Sequence, residues 1–232
     1  MMLAENFKIV TAQLVAACEK VGREPSSVSL LPVSKTFSAE VVAQAAQLGY
    51  RRFGENKAQE LKQKAQELAD LHLSWVIIGH LQTNKAKEVA KYADEIQSLD
   101  RIELAVALDK RLQQEGRALD ALIQVKTSTE ESKTGMLPEE VPTFLDALKG
   151  FDTLRIKGFM TIAENSTNSQ VVRECFRQVR ELSEKMRQQT GLPLPVLSMG
   201  MSGDFELAIA EGATEVRIGS AIFGARHYPP SA

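Results

Sequence analysis

The stretch 28-VSLLPVSKTFSAEVVAQAAQLGYRRFGE-55 decides the fold. It opens on the short apolar run 28-VSLLPVS-34, passes into the helical run 38-SAEVVAQAAQL-48, and reaches a second β-like run, 51-RRFGE-55. Ser38 offers a cap oxygen, Glu40 a first-turn negative charge, and Gly49 follows the last helical residue, so the helix has both a start and a stop. A strand, a helix and a strand in that order require a right-handed crossover and a parallel pair.

Downstream the same rhythm repeats. A polar helix from Lys57 to Leu71 precedes 74-SWVIIG-79; a helix near Asn84 to Tyr92 precedes 95-EIQSL-99; a helix near Arg101 to Gln114 precedes 120-DALIQVKT-127. Then come a helix from Pro138 to Leu148, the strand 154-LRIKGFMT-161, a long helix near Gln170 to Gln189, the strand 195-PVLSMG-200, a helix near Asp204 to Ala210, and 215-EVRIG-219. Gly150 and Gly191 also follow helical stretches. Eight βα units in about 200 residues match a (β/α)8 TIM barrel in count and length, with a doubly wound open sheet as the alternative. Upstream, Leu3, Phe7, Val10, Leu14, Ala17/Cys18 and Val21 recur at steps of three and four and make an extra N-terminal helix over residues 1–22, packed on the barrel. Gly22 ends it, with Pro25 beyond. The one markedly polar loop is 163-AENSTNS-169, and no linker interrupts the pattern, so residues 1–232 read as a single domain.

Composition narrows the function classes. With 44% hydrophobic and 25% charged residues the chain has a sizeable core to close. Its 28 Lys+Arg against 30 Asp+Glu give no basic excess, which argues against a nucleic-acid or membrane-surface partner and for a small molecule. Cys18 and Cys175 lie far apart inside helical stretches and form neither a disulfide framework nor a zinc set, so the chain reads as cytoplasmic. Glu5, Asn6 and Lys8 interrupt any signal-peptide core, and no run approaches the ~18 apolar residues of a membrane span. His72, His80 and His227 show no metal-ligand spacing, and no metal is expected.

In such a barrel the chemistry lies at the carboxyl ends of the strands, with a phosphate commonly held after strands seven and eight. Here those strands run out into 198-SMGMSGD-204, which contains Met201 and Ser202, and 217-RIGSAIFG-224, where Gly219 and Ser220 open a short helix. Glycine lets backbone N–H groups approach an anion, and the two serine hydroxyls add hydrogen bonds. Ordinary tight βα turns are the alternative. No P-loop is present, because 131-ESKTGM-136 lacks the first glycine of that pattern.

Lys35 follows the first strand and sits at the barrel mouth, where a partly desolvated amine has a lowered pKa and forms a Schiff base with a carbonyl compound. The alternative is a surface lysine whose stem covers the strand end. Arg217 lies two residues before Gly219 and points along the same face, unless a neighbouring carboxylate holds it in a structural ion pair. Asn56 in 53-FGEN-56 and His80 in 79-GHLQTNK-85 occupy the rim after strands two and three; each alone reads equally as a cap or loop residue. Glu130-Glu131 and Glu139-Glu140 read as helix-start carboxylates, the Lys57/Lys62/Lys64 stretch as a solvated helix face, Trp75 as wall packing, and His72 and His227 have no evident partner.

Taken in chain order, 32-PVSKTF-37, 53-FGENKAQE-60, 75-WVIIGHLQTNK-85, 132-SKTGM-136, 158-GFMTIA-163, 198-SMGMSGD-204 and 215-EVRIGSAIFGAR-226 closely resemble the pyridoxal 5′-phosphate homeostasis protein family over nearly the whole chain. The resemblance implies a barrel similar to the N-terminal domain of alanine racemase, with Lys35 holding pyridoxal 5′-phosphate (PLP) as an internal aldimine. It further implies that Arg217 faces the pyridine nitrogen, that Ser202, Gly219 and Ser220 clamp the phosphate with Met201 in the same loop, that Asn56 lies beside the ring, and that His80 and Met160 line the site.

An arginine at the ring nitrogen keeps that nitrogen unprotonated and weakens the ring as an electron sink, so carbanion chemistry is hard. Racemisation also needs an acid/base on each face of the α-carbon. In alanine racemase a tyrosine from a second domain serves the opposite face, and this chain ends at Ala232 without one. Tyr50 and Tyr92 fall on helix ends and Tyr228 in the C-terminal tail. The expectation is therefore a monomeric PLP carrier in vitamin B6 homeostasis that supplies PLP-requiring apo-enzymes with little or no turnover. The alternatives are a PLP-dependent amino-acid racemase and a Schiff-base aldolase acting on a sugar phosphate.

Overall fold

Eight short parallel strands alternate with helices along the chain in a computed structural model that describes residues 2–130 and 133–224. The strands are β1 (Ser29–Pro32), β2 (Arg52–Glu55), β3 (Ser74–Ile77), β4 (Glu95–Leu99), β5 (Leu119–Gln124), β6 (Leu154–Met160), β7 (Val196–Ser198) and β8 (Glu215–Ile218). They pair in the order β1-β8-β7-β6-β5-β4-β3-β2. A parallel bridge between Val33 and Gly54, with the Ser34 amide donating to the Gly54 carbonyl at 3.0 Å, joins β1 to β2 and closes the sheet into a barrel. All eight strands fall where the alternation of apolar runs and helices puts them.

The outer ring consists of α2 (Ala39–Gln47), α3 (Ala58–Glu67), α4 (Ala86–Tyr92), α5 (Ile102–Glu115), α6 (Val141–Leu148), α7 (Ser169–Thr190) and α8 (Phe205–Ala210), while β8 is followed, among the described residues, only by the one-turn α9 (Ser220–Phe223). So short a helix cannot cover the β8–β1 seam. The N-terminal α1 (Met2–Lys20) packs against α8, α9 and α2 instead, burying Phe7, Val10, Leu14, Ala17 and Cys18. Phe7 stacks on Tyr50 with ring centroids 3.9 Å apart and meets Phe223 edge-on, and Asn6 Nδ2 donates to the Ile222 carbonyl at 2.8 Å. Trp75 is buried beside Phe53, as wall packing requires, and both cysteines are free and buried. No described helix is long and apolar enough to cross a membrane.

Three sequence expectations need correction. The helix from Lys57 to Leu71 stops at Glu67; Leu68 leaves helical geometry, a 3₁₀ turn covers Ala69–Leu71, and His72 takes a left-handed conformation (φ 49°) that turns the chain into β3. Glu130 starts no helix: its carboxylate accepts the Asn165 amide at 2.8 Å across two loops, and Glu131 lies outside the described residues. The third is Lys64, which is not part of a solvated face. It is buried, with its ammonium 2.6 Å from Glu55 and 2.8 Å from Glu60.

Candidate functional site

At the carboxyl ends of the strands the barrel opens into a cavity of about 450 Å³. Lys35, Asn56 and His80 wall one side, from the exits of β1, β2 and β3. Met201 and Ser202 after β7, and Gly219 and Ser220 after β8, wall another, with Arg217 of β8 reaching in from the lumen. Met160 is the one expected site residue absent from these walls. It ends β6, paired with Gln124 and Ser198, and is fully buried.

The phosphate-candidate loops have the shape their small residues permit. Asp204 takes the Met201 amide on its carboxylate and so curls the loop back on itself. Ser202 Oγ accepts the Ala221 amide at 3.4 Å, which puts its hydroxyl at the start of α9. The first N–H groups of any helix have no intrahelical acceptor, so this corner offers donors to an anion. Gly219 sits with its α-carbon against β1: a Cβ there would lie 3.2 Å from the Val33 carbonyl.

Among the described residues Arg217 is held by hydrogen bonds and has no ion pair. Nη1 donates to Ser198 Oγ at 2.9 Å and Nη2 to the Thr161 carbonyl at 2.8 Å, both neutral oxygens. Ser198 Oγ in turn lies 2.7 Å from Gln97 Oε1 and 2.9 Å from Glu215 Oε1. Beneath them Arg52 spans Glu95 and Glu215, and Gln97 Nε2 donates to both carboxylates, so the lower lumen holds a bonded polar layer instead of an apolar one. Burial lowers the Arg217 guanidinium to about 10, opposed by Glu215 and Asp204; it stays cationic at neutral pH.

Other walls of the cavity were not singled out by residue type alone. Gln124, at the end of β5, is buried, and its Nε2 donates to the Thr134 carbonyl at 2.8 Å, so a polar side chain in an otherwise apolar strand is the signal that marks it. Gly79 also lines the cavity, and a Cβ there would sit 2.4 Å from the Asn56 carbonyl oxygen, so the close approach of the β2 and β3 exits depends on it. His80 is half-exposed, with Nδ1 3.3 Å from Asp100 Oδ2. Tyr50 packs on Phe7 and Tyr92 Oη accepts Gln66 Nε2 at 3.0 Å; neither is a cavity wall, and Tyr228 and His227 lie outside the described residues.

Residues 11–227 match the family model described as alanine racemase, N-terminal domain. The chain is 42% identical over 226 residues to the pyridoxal phosphate homeostasis protein of Pseudomonas aeruginosa, covering 97% of this chain and 96% of that one. It is 40% identical over 228 residues to the protein of the same name from Aquifex aeolicus, covering 98% and 100%. Among solved structures, PipY of Synechococcus elongatus PCC7942 with PLP bound superposes with a TM-score of 0.81 at 36% identity, over 92% of this chain and 100% of that one. The same protein without PLP gives 0.87 at 37% identity.

Proposed function

The chain belongs to the pyridoxal phosphate homeostasis protein family, and from that premise we propose that its barrel mouth binds PLP and keeps it sequestered for delivery within the cell. The observation that carries this reading is convergence: a lysine after β1, a buried arginine on β8 and two serine-bearing anion loops after β7 and β8 share one cavity. Its volume of about 450 Å³ lies within the ~300–1,000 Å³ of small-molecule sites.

The residues present fit the group. PLP supplies an aldehyde that condenses with a primary amine with loss of water, and Lys35 is the amine on the cavity wall. The Ser202 and Ser220 loops bind the phosphate dianion through hydroxyls and helix-start N–H groups. Arg217 has five N–H donors and uses two groups on Ser198 and Thr161, which leaves it able to donate to an acceptor such as a ring nitrogen. Because it keeps its own proton at neutral pH, it does not protonate that acceptor, and this supports a carrier over a carbanion-forming enzyme. We further read residues 1–232 as one cofactor-holding unit, with residues 1–22 as a packed helix, working as a cytoplasmic monomer that delivers PLP to apo-enzymes.

The test is the visible absorption spectrum of the purified protein with added PLP, before and after borohydride reduction, with Lys35→Ala alongside. A visible band that reduction fixes as a mass increase on the Lys35 peptide, and that the variant lacks, is expected. No band in the wild type sinks the reading and points to a sugar phosphate with its own carbonyl.

A racemase reading has one observation in its favour, the His80–Asp100 pair at the cavity rim opposite the phosphate loops. It predicts exchange of an amino acid's α-hydrogen with solvent deuterium at enzyme-like rates, lost in His80→Gln; the carrier reading predicts no such exchange.

A further inference from the structure

Ser34, Lys35, Thr36 and Phe37 form a tight turn closed by the Phe37 amide donating to the Ser34 carbonyl at 3.1 Å. Its third residue, Thr36, has φ 71°, the region that such a turn reserves for glycine or asparagine. A β-branched residue there is strained and persists only where the surroundings over-determine it. Lys35 is the second residue of this turn, so the aim of its side chain depends on a backbone that the local sequence disfavours.

The surroundings supply what the turn lacks, from three charged side chains that the cofactor site does not use. Lys64 Nζ donates to the Ser34 carbonyl at 2.8 Å, on one flank of Lys35. Glu60 Oε1 accepts the Thr36 amide at 2.6 Å, on the other flank. Glu55 Oε1 accepts Ser34 Oγ at 2.6 Å and Lys64 Nζ at 2.6 Å, and Lys64 also reaches Glu60 at 2.8 Å. Glu55 and Lys64 are almost wholly buried, an arrangement whose desolvation makes it a poor device for stability alone. The cluster grips both peptide groups beside the reactive lysine.

Resting on the PLP reading above, we propose that Glu55, Lys64 and Glu60 are positioning residues for Lys35: they hold its strained turn so that the amine presents to the aldehyde of the ligand. The phosphate loops follow β7 and β8; β8 pairs with β1, but among the described residues none of Glu55, Glu60 and Lys64 bonds to either loop. The cluster therefore governs capture of an aldehyde and leaves phosphate anchorage alone.

The test compares PLP with pyridoxine 5′-phosphate, the alcohol analogue that keeps ring and phosphate but has no aldehyde. Binding of both to cofactor-stripped protein is measured by fluorescence titration, with borohydride trapping and peptide mass analysis for PLP. Because Glu60 is partly exposed, Glu60→Ala removes the Thr36 acceptor without opening the core. A hydrogen bond to a charged group corresponds to a loss of about tenfold or more in PLP affinity, with pyridoxine 5′-phosphate unchanged within about twofold. Adding Thr36→Gly restores PLP capture, since glycine takes the positive φ unaided. Lys64→Met behaves as Glu60→Ala does, and Lys64→Arg recovers part of the loss. Wild-type PLP capture in Glu60→Ala, equal weakening of both ligands, or absence of rescue by Thr36→Gly overturns the proposal. A wild type that takes up neither ligand overturns the reading beneath it and the proposal together.

Discussion

Replacing Gly79 by alanine tests the shape of the cavity wall without touching any charged group. A Cβ on residue 79 would lie 2.4 Å from the Asn56 carbonyl oxygen and 2.9 Å from its Cα, and both are backbone atoms that cannot rotate away. Nor can the β3 exit retreat freely, because the Gly79 carbonyl is pinned by Ser98 Oγ at 2.7 Å on β4. Overpacking of this kind costs ~1–3 kcal/mol. For a chain of this length each kcal/mol lowers Tm by about 2–4 °C, so Gly79→Ala melts roughly 2–12 °C below the wild type. The matched control is Gly203→Ala in the loop after β7, where a Cβ meets nothing within 4 Å and φ is not positive. That variant stays within about 0.5 kcal/mol of the wild type. Thermal unfolding followed by circular dichroism reads both, and PLP titration reads the displacement of Asn56 from the rim. If the two alanine variants melt together, the close approach of the β2 and β3 exits is not what Gly79 supplies, and the reasoning fails.

Three further outcomes follow from other parts of the molecule. Arg217→Lys exchanges a guanidinium that reaches Ser198 and Thr161 together for a single ammonium, which costs about 1.5–3 kcal/mol in urea unfolding and weakens PLP binding; an unchanged urea midpoint refutes the two-partner hold. Phe7→Ala empties the packing between α1, Tyr50 and Phe223 and lowers stability by ~3–5 kcal/mol, and an effect below about 1 kcal/mol shows that α1 does not serve as the cover of the β8–β1 seam. Burial raises the Glu55 carboxyl from 4.5 to about 7, with Lys64 opposing, Glu60 reinforcing and Ser34 donating to it. Folded protein then holds a proton that unfolded protein has lost, so this contribution is fully present below pH 4.5 and is lost as pH rises through about 7, with a slope of at most ~1.4 kcal/mol per pH unit. Glu55→Gln flattens that part of the stability–pH curve, and an identical curve in the variant refutes the assignment.

The barrel was legible because short β-like runs alternate regularly with helical stretches that carry their own period and stop, features that depend only on neighbours along the chain. The lumen was less so. On β8 the order Glu215, Val216, Arg217, Ile218 alternates polar and apolar, and the usual rule would turn the apolar pair inward. In a barrel of parallel strands the outer face is the one covered by helices, so Val216 and Ile218 belong under the ring and Glu215 and Arg217 in the lumen, where Ser198, Gln97 and Arg52 meet them. Lys64 shows a different failure. Its class suggested a solvated lysine beside Lys57 and Lys62, yet Ala58, Leu61 and Lys64 recur at steps of three, and these are the three residues that α3 buries. The period had already put Lys64 on the inner face. What the chain order does not reveal is its partner set, because Ser34 lies thirty positions away on another strand exit and meets Lys64 only once the barrel closes β1 onto β2. A charged residue on the apolar stripe of a barrel helix therefore signals a contact with the sheet, and here that contact falls beside the lysine on which the proposed function depends.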